Sequence, residues 1–118
     1  MPFYLWQFAY TPEAWAALTK NPTDRTEGAE GARTLVEHMG GRLVGLYYCY
    51  GKYDGIALLE VPDDTTATAI VLATITAGHI KATKTTKLFT PEEMMEAMRK
   101  AGGASYQAPS EAAGSRPT

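Results

Sequence analysis

A tyrosine followed by an aspartate in a glycine-bounded turn, Gly51-Lys52-Tyr53-Asp54-Gly55, can set a phenol and a carboxylate at the mouth of a pocket. There the Asp54 carboxylate is a base or a ligand anchor, and Tyr53 orients what is bound. The same pair has a purely structural use, with Asp54 accepting turn amides and Tyr53 covering a sheet edge. His79 follows Gly78 at the start of a strand and is suited to proton transfer near neutral pH. Together His79, Asp54 and Tyr53, with Tyr47 as a second orienting phenol, are the parts a cofactor-independent isomerase, lyase or monooxygenase would use. A plain strand-end histidine is the competing reading of His79. The other imidazole, His38, falls in the last turn of a helix, where it can interact with the terminal carbonyls. No metal-ligand spacing is visible, so no metal site is expected. Cys49, the single cysteine, lies on an apolar strand with no basic neighbour and reads as an inert, buried thiol. No phosphate loop, nucleophile elbow or dinucleotide fingerprint occurs, and no cofactor is expected.

A second group is aromatic. Trp6, Phe8, Tyr47, Tyr48 and Tyr50 could line a pocket for a flat or apolar molecule. The same rings serve equally as packing against helices or against a second subunit, because a barrel between subunits can be filled or hollow. Lys81, Lys84 and Lys87 raise the question of RNA, which aromatic sheets can bind. The stretch Ile56–Val61 lacks the aromatic and basic signature of that mode, and the pI of about 5.6 opposes it. These lysines read better as protection of an edge strand. Met94, Met95 and Met98 read as a packing stripe.

The elements that must position these groups are well punctuated. Residues 3–10 hold five aromatics in eight positions with no breaker, a buried strand. Thr11-Pro12-Glu13 has the form of a helix cap followed by proline, and Asn21-Pro22 repeats it. A short helix lies between them, and a longer one runs from Asn21 to about Met39 with Ala29, Ala32, Leu35, Val36 and Met39 on one stripe. Gly28 and Gly31 weaken its first half, and Gly40-Gly41 stops it. Strands follow at 42–50 and 56–61, joined by the turn at 51–55. Asp63 or Asp64 caps a helix over 65–77, which Gly78 ends. A Thr- and Lys-rich strand covers 79–89. Thr90-Pro91-Glu92-Glu93 then opens a last helix with a capping box. The predicted order βαββαβ with a C-terminal helix is an α+β, ferredoxin-like arrangement over residues 1–101, with an antiparallel four-stranded sheet. Residues 102–118, rich in Gly, Ala, Ser and Pro, read as a flexible tail.

That layout places helices on one face of the sheet. Yet Phe3, Leu5 and Ala9 stand on one parity of the first strand, and Tyr4, Trp6, Phe8 and Tyr10 on the other. The second strand similarly sets Leu43, Tyr47 and Cys49 against Val44, Leu46, Tyr48 and Tyr50. A sheet facing water alternates apolar and polar. Both faces are therefore expected to be covered, the second by another copy of the chain, sheet to sheet, in a homodimer or higher assembly.

The stretch Gly40-Gly41-Arg42-Leu43-Val44, Tyr47, Gly51-Lys52-Tyr53-Asp54 and Glu60-Val61-Pro62-Asp63-Asp64, with the strand Thr83–Thr90, resembles the GYD domain family, named for its Gly-x-Tyr-Asp turn. The resemblance covers about residues 3–100. It implies a ferredoxin-like, dimeric α/β-barrel type of fold and no established activity or catalytic residues.

At 118 residues and 12.8 kDa the chain has room for one domain. Its formal charge of −2 gives no field to drive it onto nucleic acid or an anionic membrane. Aliphatic runs such as Ile56–Leu59 are too short to span a bilayer. Without a basic n-region or long apolar segment at the start, a cytoplasmic location is the expectation. The leading functional expectation is a homo-oligomer whose sheet-lined interior binds a small apolar or aromatic molecule. A small enzyme and a purely structural or interaction module are the alternatives.

Overall fold

The structure, a computed structural model, describes residues 1–20, 22 and 24–109, with the backbone alone for 24–28. The elements run β1 (Phe3–Tyr10), α1 (Pro12–Lys20), α2 (Asp24–His38), β2 (Arg42–Tyr48), β3 (Gly55–Glu60), α3 (Asp64–Thr76), β4 (Ile80–Leu88) and α4 (Pro91–Gly102). The expected helix start at Asn21, and most of the expected tail (residues 110–118), lie outside the described residues. Met1–Leu88 form one compact unit, and the residues from Phe89 onward another.

The sheet order is β2-β3-β1-β4, and every neighbouring pair is antiparallel. This is the ferredoxin-like α+β fold. The helices start where their caps dictate. The Thr11 hydroxyl accepts from the Ala14 amide at 3.1 Å, opening α1. Asp63 is the α3 cap, taking the Thr66 amide at 2.8 Å. In the second unit, Thr90 and Glu93 complete the capping box of α4 at 2.8 and 3.1 Å. Gly40 (φ 85°) and Gly78 (φ 92°) take up the left-handed turns after α2 and α3. α2 is helical throughout Asp24–His38, so neither Gly28 nor Gly31 breaks it.

Register sorts the side chains into two faces. Rows on one face are Leu43–Leu59–Tyr4–Lys87, Leu46–Ala57–Trp6–Thr85 and Tyr48–Gly55–Phe8–Thr83. Tyr4, Trp6, Phe8, Leu43, Ala57 and Leu59 there form the core with Val36 of α2 and Ala67, Ile70 and Val71 of α3. Rows on the other face are Arg42–Glu60–Phe3–Leu88, Gly45–Leu58–Leu5–Thr86 and Tyr47–Ile56–Gln7–Lys84. Phe3, Leu5, Ile56, Leu58 and Leu88 on this face are only half-buried.

The simple parity expected for the second strand is corrected by a bulge. The register of β2 slips between Leu43 and Gly45, leaving Val44 as the extra residue. Leu43 therefore shares a face with Leu46 and Tyr48 rather than with Tyr47, and Val44 is exposed. A second slip, opposite Ala9 and Tyr10, makes Lys81 the extra residue of β4.

Candidate functional site

Strand β1 carries a ladder of rings. Trp6 and Phe8 stand 4.8 Å apart between centroids, and Phe8 meets Tyr10 edge-on at 5.4 Å. At the end of β1 the chain turns directly into α1, which brings Trp15 back onto Tyr10 at 5.3 Å and 86°. From the neighbouring strand end, the Tyr48 ring lies 6.4 Å from that of Tyr10, and the two hydroxyls are 3.4 Å apart. The ladder thus starts in the core and reaches the surface at one corner. Trp6 and Phe8 are buried, Tyr10 and Trp15 half-buried, and Tyr48 exposed. At the inner end, the Trp6 Nε1–H is buried and meets no acceptor among the described residues. Such a donor costs about 1–3 kcal/mol when left unpaired.

Asp54 fixes this corner. Its Oδ2 accepts from the Tyr10 amide at 2.8 Å and from Trp15 Nε1 at 3.0 Å. Its own amide donates to the Phe8 carbonyl at 2.8 Å, and its carbonyl accepts from the Cys49 amide at 2.8 Å. One residue of the β2–β3 turn therefore ties β1, α1 and β2 together. Gly51 in that turn has φ 140°, a conformation glycine supplies without strain. Tyr53 is half-buried beside Asp54, with Lys52 Nζ 5.9 Å from its ring centre. A shallow groove along α1, lined by Pro12, Trp15, Ala16 and Lys20, opens beside the corner.

The other residues singled out from the sequence are dispersed. The His79 side chain is exposed, and only its carbonyl joins this region, accepting from the Thr11 amide at 3.0 Å. Tyr47 stands on the opposite face of the sheet, 67% exposed, and Tyr50 is fully exposed in the turn. Trp6, Phe8 and Tyr48 share one surface; Tyr47 and Tyr50 do not belong to it. Cys49 is not the buried strand thiol expected: β2 ends at Tyr48, and Cys49 is exposed, with its Sγ donating to the Tyr53 carbonyl at 3.1 Å. Among the described residues, no three His, Cys, Asp or Glu side chains gather as metal ligands would. No helix is long and apolar enough to cross a membrane among them.

Two groups were missed by sequence reasoning. Tyr10 and Trp15 are central to the corner, and the signal for them was the cap at Thr11-Pro12, which forces an immediate reversal after β1. The second is Tyr4, whose buried hydroxyl donates to Asp64 Oδ1, itself 3.1 Å from Lys87 Nζ. Burial, and then the Asp64 carboxylate, push the Tyr4 phenol up to about 12. The Tyr4 hydrogen bond, and then Lys87, hold the Asp64 carboxyl below its ordinary range. Neutral Tyr4 is thus favoured in the folded chain, whereas an unfolded tyrosine ionises near 10. Its contribution to stability is intact below pH 10 and falls away between pH 10 and about 12. Denaturation midpoints followed over that interval are expected to drop in the native chain and to drop less in Tyr4→Phe.

A four-stranded antiparallel sheet in the order β2-β3-β1-β4, with α2 and α3 packed on one face, makes this a ferredoxin-like α+β domain. The family model described as GYD domain matches residues 4–98, and the chain belongs to that family. Among solved structures it is similar to MtbAldR, with a TM-score of 0.51 and 13% identity over 75% of this chain. The match spans about half, 52%, of that protein. It is also similar to TTHA0845 from Thermus thermophilus, with a TM-score of 0.48 and 14% identity over 76% of this chain and 95% of the other. No curated protein matches the chain.

Proposed function

We propose that this GYD-domain protein acts as a homodimer that binds a small, mostly apolar or aromatic molecule. The ring ladder of β1 carries this reading: Trp6 and Phe8 form an apolar, aromatic surface beside a few fixed polar groups. The unpaired Trp6 Nε1–H at its inner end supports it further, as a donor a ligand can satisfy. Dimerisation is supported by the other face of the sheet, where Phe3, Leu5, Ile56, Leu58 and Leu88 cluster around the middle strands. The binding surface faces α2 and α3, not the interior between two sheets, so ligand and dimer occupy opposite faces.

Sedimentation equilibrium at micromolar concentration tests the assembly, with twice the chain mass expected and a stable monomer refuting it. For binding, the two tryptophans give separate indole N–H signals in an NMR spectrum, and titration with toluene is expected to move them. Signals that stay in place up to the solubility limit of toluene refute the binding half.

A further inference from the structure

Trp6 is 5% exposed, and its Nε1–H meets no acceptor among the described residues. The side chains buried with it in the core are apolar apart from Tyr4, whose hydroxyl is given to Asp64. A buried water is a poor partner in such surroundings, because it needs about two to four polar groups to hold it. An oxygen on an apolar ligand needs only the one donor. The same surroundings set its charge. No charged side chain is buried among the described residues, and Lys87, beside Tyr4 on this face of β4, is held by Asp64 at 3.1 Å. A carboxylate brought to Trp6 would exchange its water for one neutral N–H, and a buried ion without a counter-charge is strongly unfavourable. A neutral carbonyl oxygen carries no such penalty. Access comes from the β4 side. Thr85 stands across the ladder from Trp6, flanked on the same face by Thr83 and Lys87. Thr85 and Lys87 are exposed and Thr83 half-buried, whereas Ala57 and Leu59, on the β3 side, are buried. The cover over the rings thus ends at β4, one strand from Trp6.

Resting on the binding reading above, we infer that Trp6 Nε1–H is the donor of a carbonyl subsite, so the ligand is a neutral apolar or aromatic molecule carrying a ketone, quinone or ester oxygen. That oxygen accepts from Trp6, the apolar body packs beside the Trp6 and Phe8 rings, and the molecule enters over Thr85.

The test compares acetophenone with α-methylstyrene, which has nearly the same shape with a methylene group in place of the oxygen. Binding is followed by the two indole N–H signals, told apart with Trp15→Phe. Ring-current effects of the two probes are alike, so the difference between them reports the hydrogen bond. Acetophenone is expected to move the Trp6 N–H proton downfield relative to α-methylstyrene, a shift read on the native chain. Trp6→Phe keeps a ring without the donor. It is expected to weaken acetophenone about tenfold and α-methylstyrene less than about threefold, followed by backbone amide signals. Benzoate, the anionic counterpart, is expected to bind at least about tenfold more weakly than acetophenone. If the two isosteric probes move the Trp6 proton alike, if Trp6→Phe weakens both equally, if benzoate binds as tightly as acetophenone, or if only the hydrocarbons bind, the carbonyl subsite is wrong while ligand binding stands. If neither these probes nor toluene shifts either indole signal, ligand binding itself fails.

Discussion

Gly55→Val is expected to leave the domain largely unfolded, and Gly55→Ala to lower its stability by about 1–3 kcal/mol. A Cβ at Gly55 would lie 2.3 Å from Phe8 Cζ, with the two Cε atoms at 2.6 and 3.0 Å. Phe8 sits directly across the ladder from Gly55 and its ring lies over the glycine. It cannot swing aside, because Trp6 and Tyr10 bracket it at 4.8 and 5.4 Å. Nor can the backbones separate freely, since the Asp54 amide holds the Phe8 carbonyl at 2.8 Å. Stabilities of single domains are about 5–15 kcal/mol, so a branched side chain at this point consumes much of the margin. Chemical denaturation measures it. The double variant Gly55→Ala/Phe8→Leu is expected to lose less than the sum of the two single losses, because the smaller side chain relieves the clash. A wild-type midpoint for Gly55→Ala would contradict the position of Phe8.

Gly55 also marks how far the fold was legible. Directly after the Gly-x-Tyr-Asp turn this glycine reads as punctuation, whereas its structural use is the space it leaves for a ring of a strand more than forty residues earlier. Local signals came through because their chemistry is local. Thr11, Asp63 and the Thr90–Glu93 pair cap helices through bonds to amides three residues away. Strand order followed from the alternation of elements and the hairpin at 51–55. What depended on one inserted residue did not come through. The bulge at Val44 moves Leu43 onto the face of Leu46, and no pattern of apolar spacing marks where a ladder slips. The site was half legible for the same reason. Asp54 stood out as a turn carboxylate, but its donors, Tyr10 and Trp15, come from the β1–α1 reversal and meet it only in space. His79 and Tyr47 were plausible by residue type, yet His79 turns its side chain to solvent and Tyr47 lies across the sheet from the ring ladder.

Leu58→Asp is expected to convert the proposed dimer into a monomer. Leu58 lies beside Leu5 in the middle row of the face turned away from α2 and α3, between Phe3 and Glu60 on one side and Gln7 and Ile56 on the other. In a two-fold interface the same patch meets itself, so one substitution brings two carboxylates into a single dehydrated centre. An unpaired buried charge costs about 3–5 kcal/mol, and two of them exceed about 6 kcal/mol, or more than a ten-thousandfold loss of affinity. Leu58 is half-buried within one chain, so the change also bears on folding. Tyr47→Asp separates the two effects: its ring is 67% exposed and lies on the same face, beside Ile56. Both variants are expected to sediment as folded monomers, while Thr85→Asp, an exposed position on the face of α2 and α3, stays dimeric. Were Tyr47→Asp and Leu58→Asp both to remain dimers, the contact between copies would lie elsewhere, and the apolar rows around Leu5 would need another cover. Because the ring ladder lies on the opposite face, the monomeric variants are also expected to retain binding of toluene, which makes assembly and ligand recognition separable in one set of proteins.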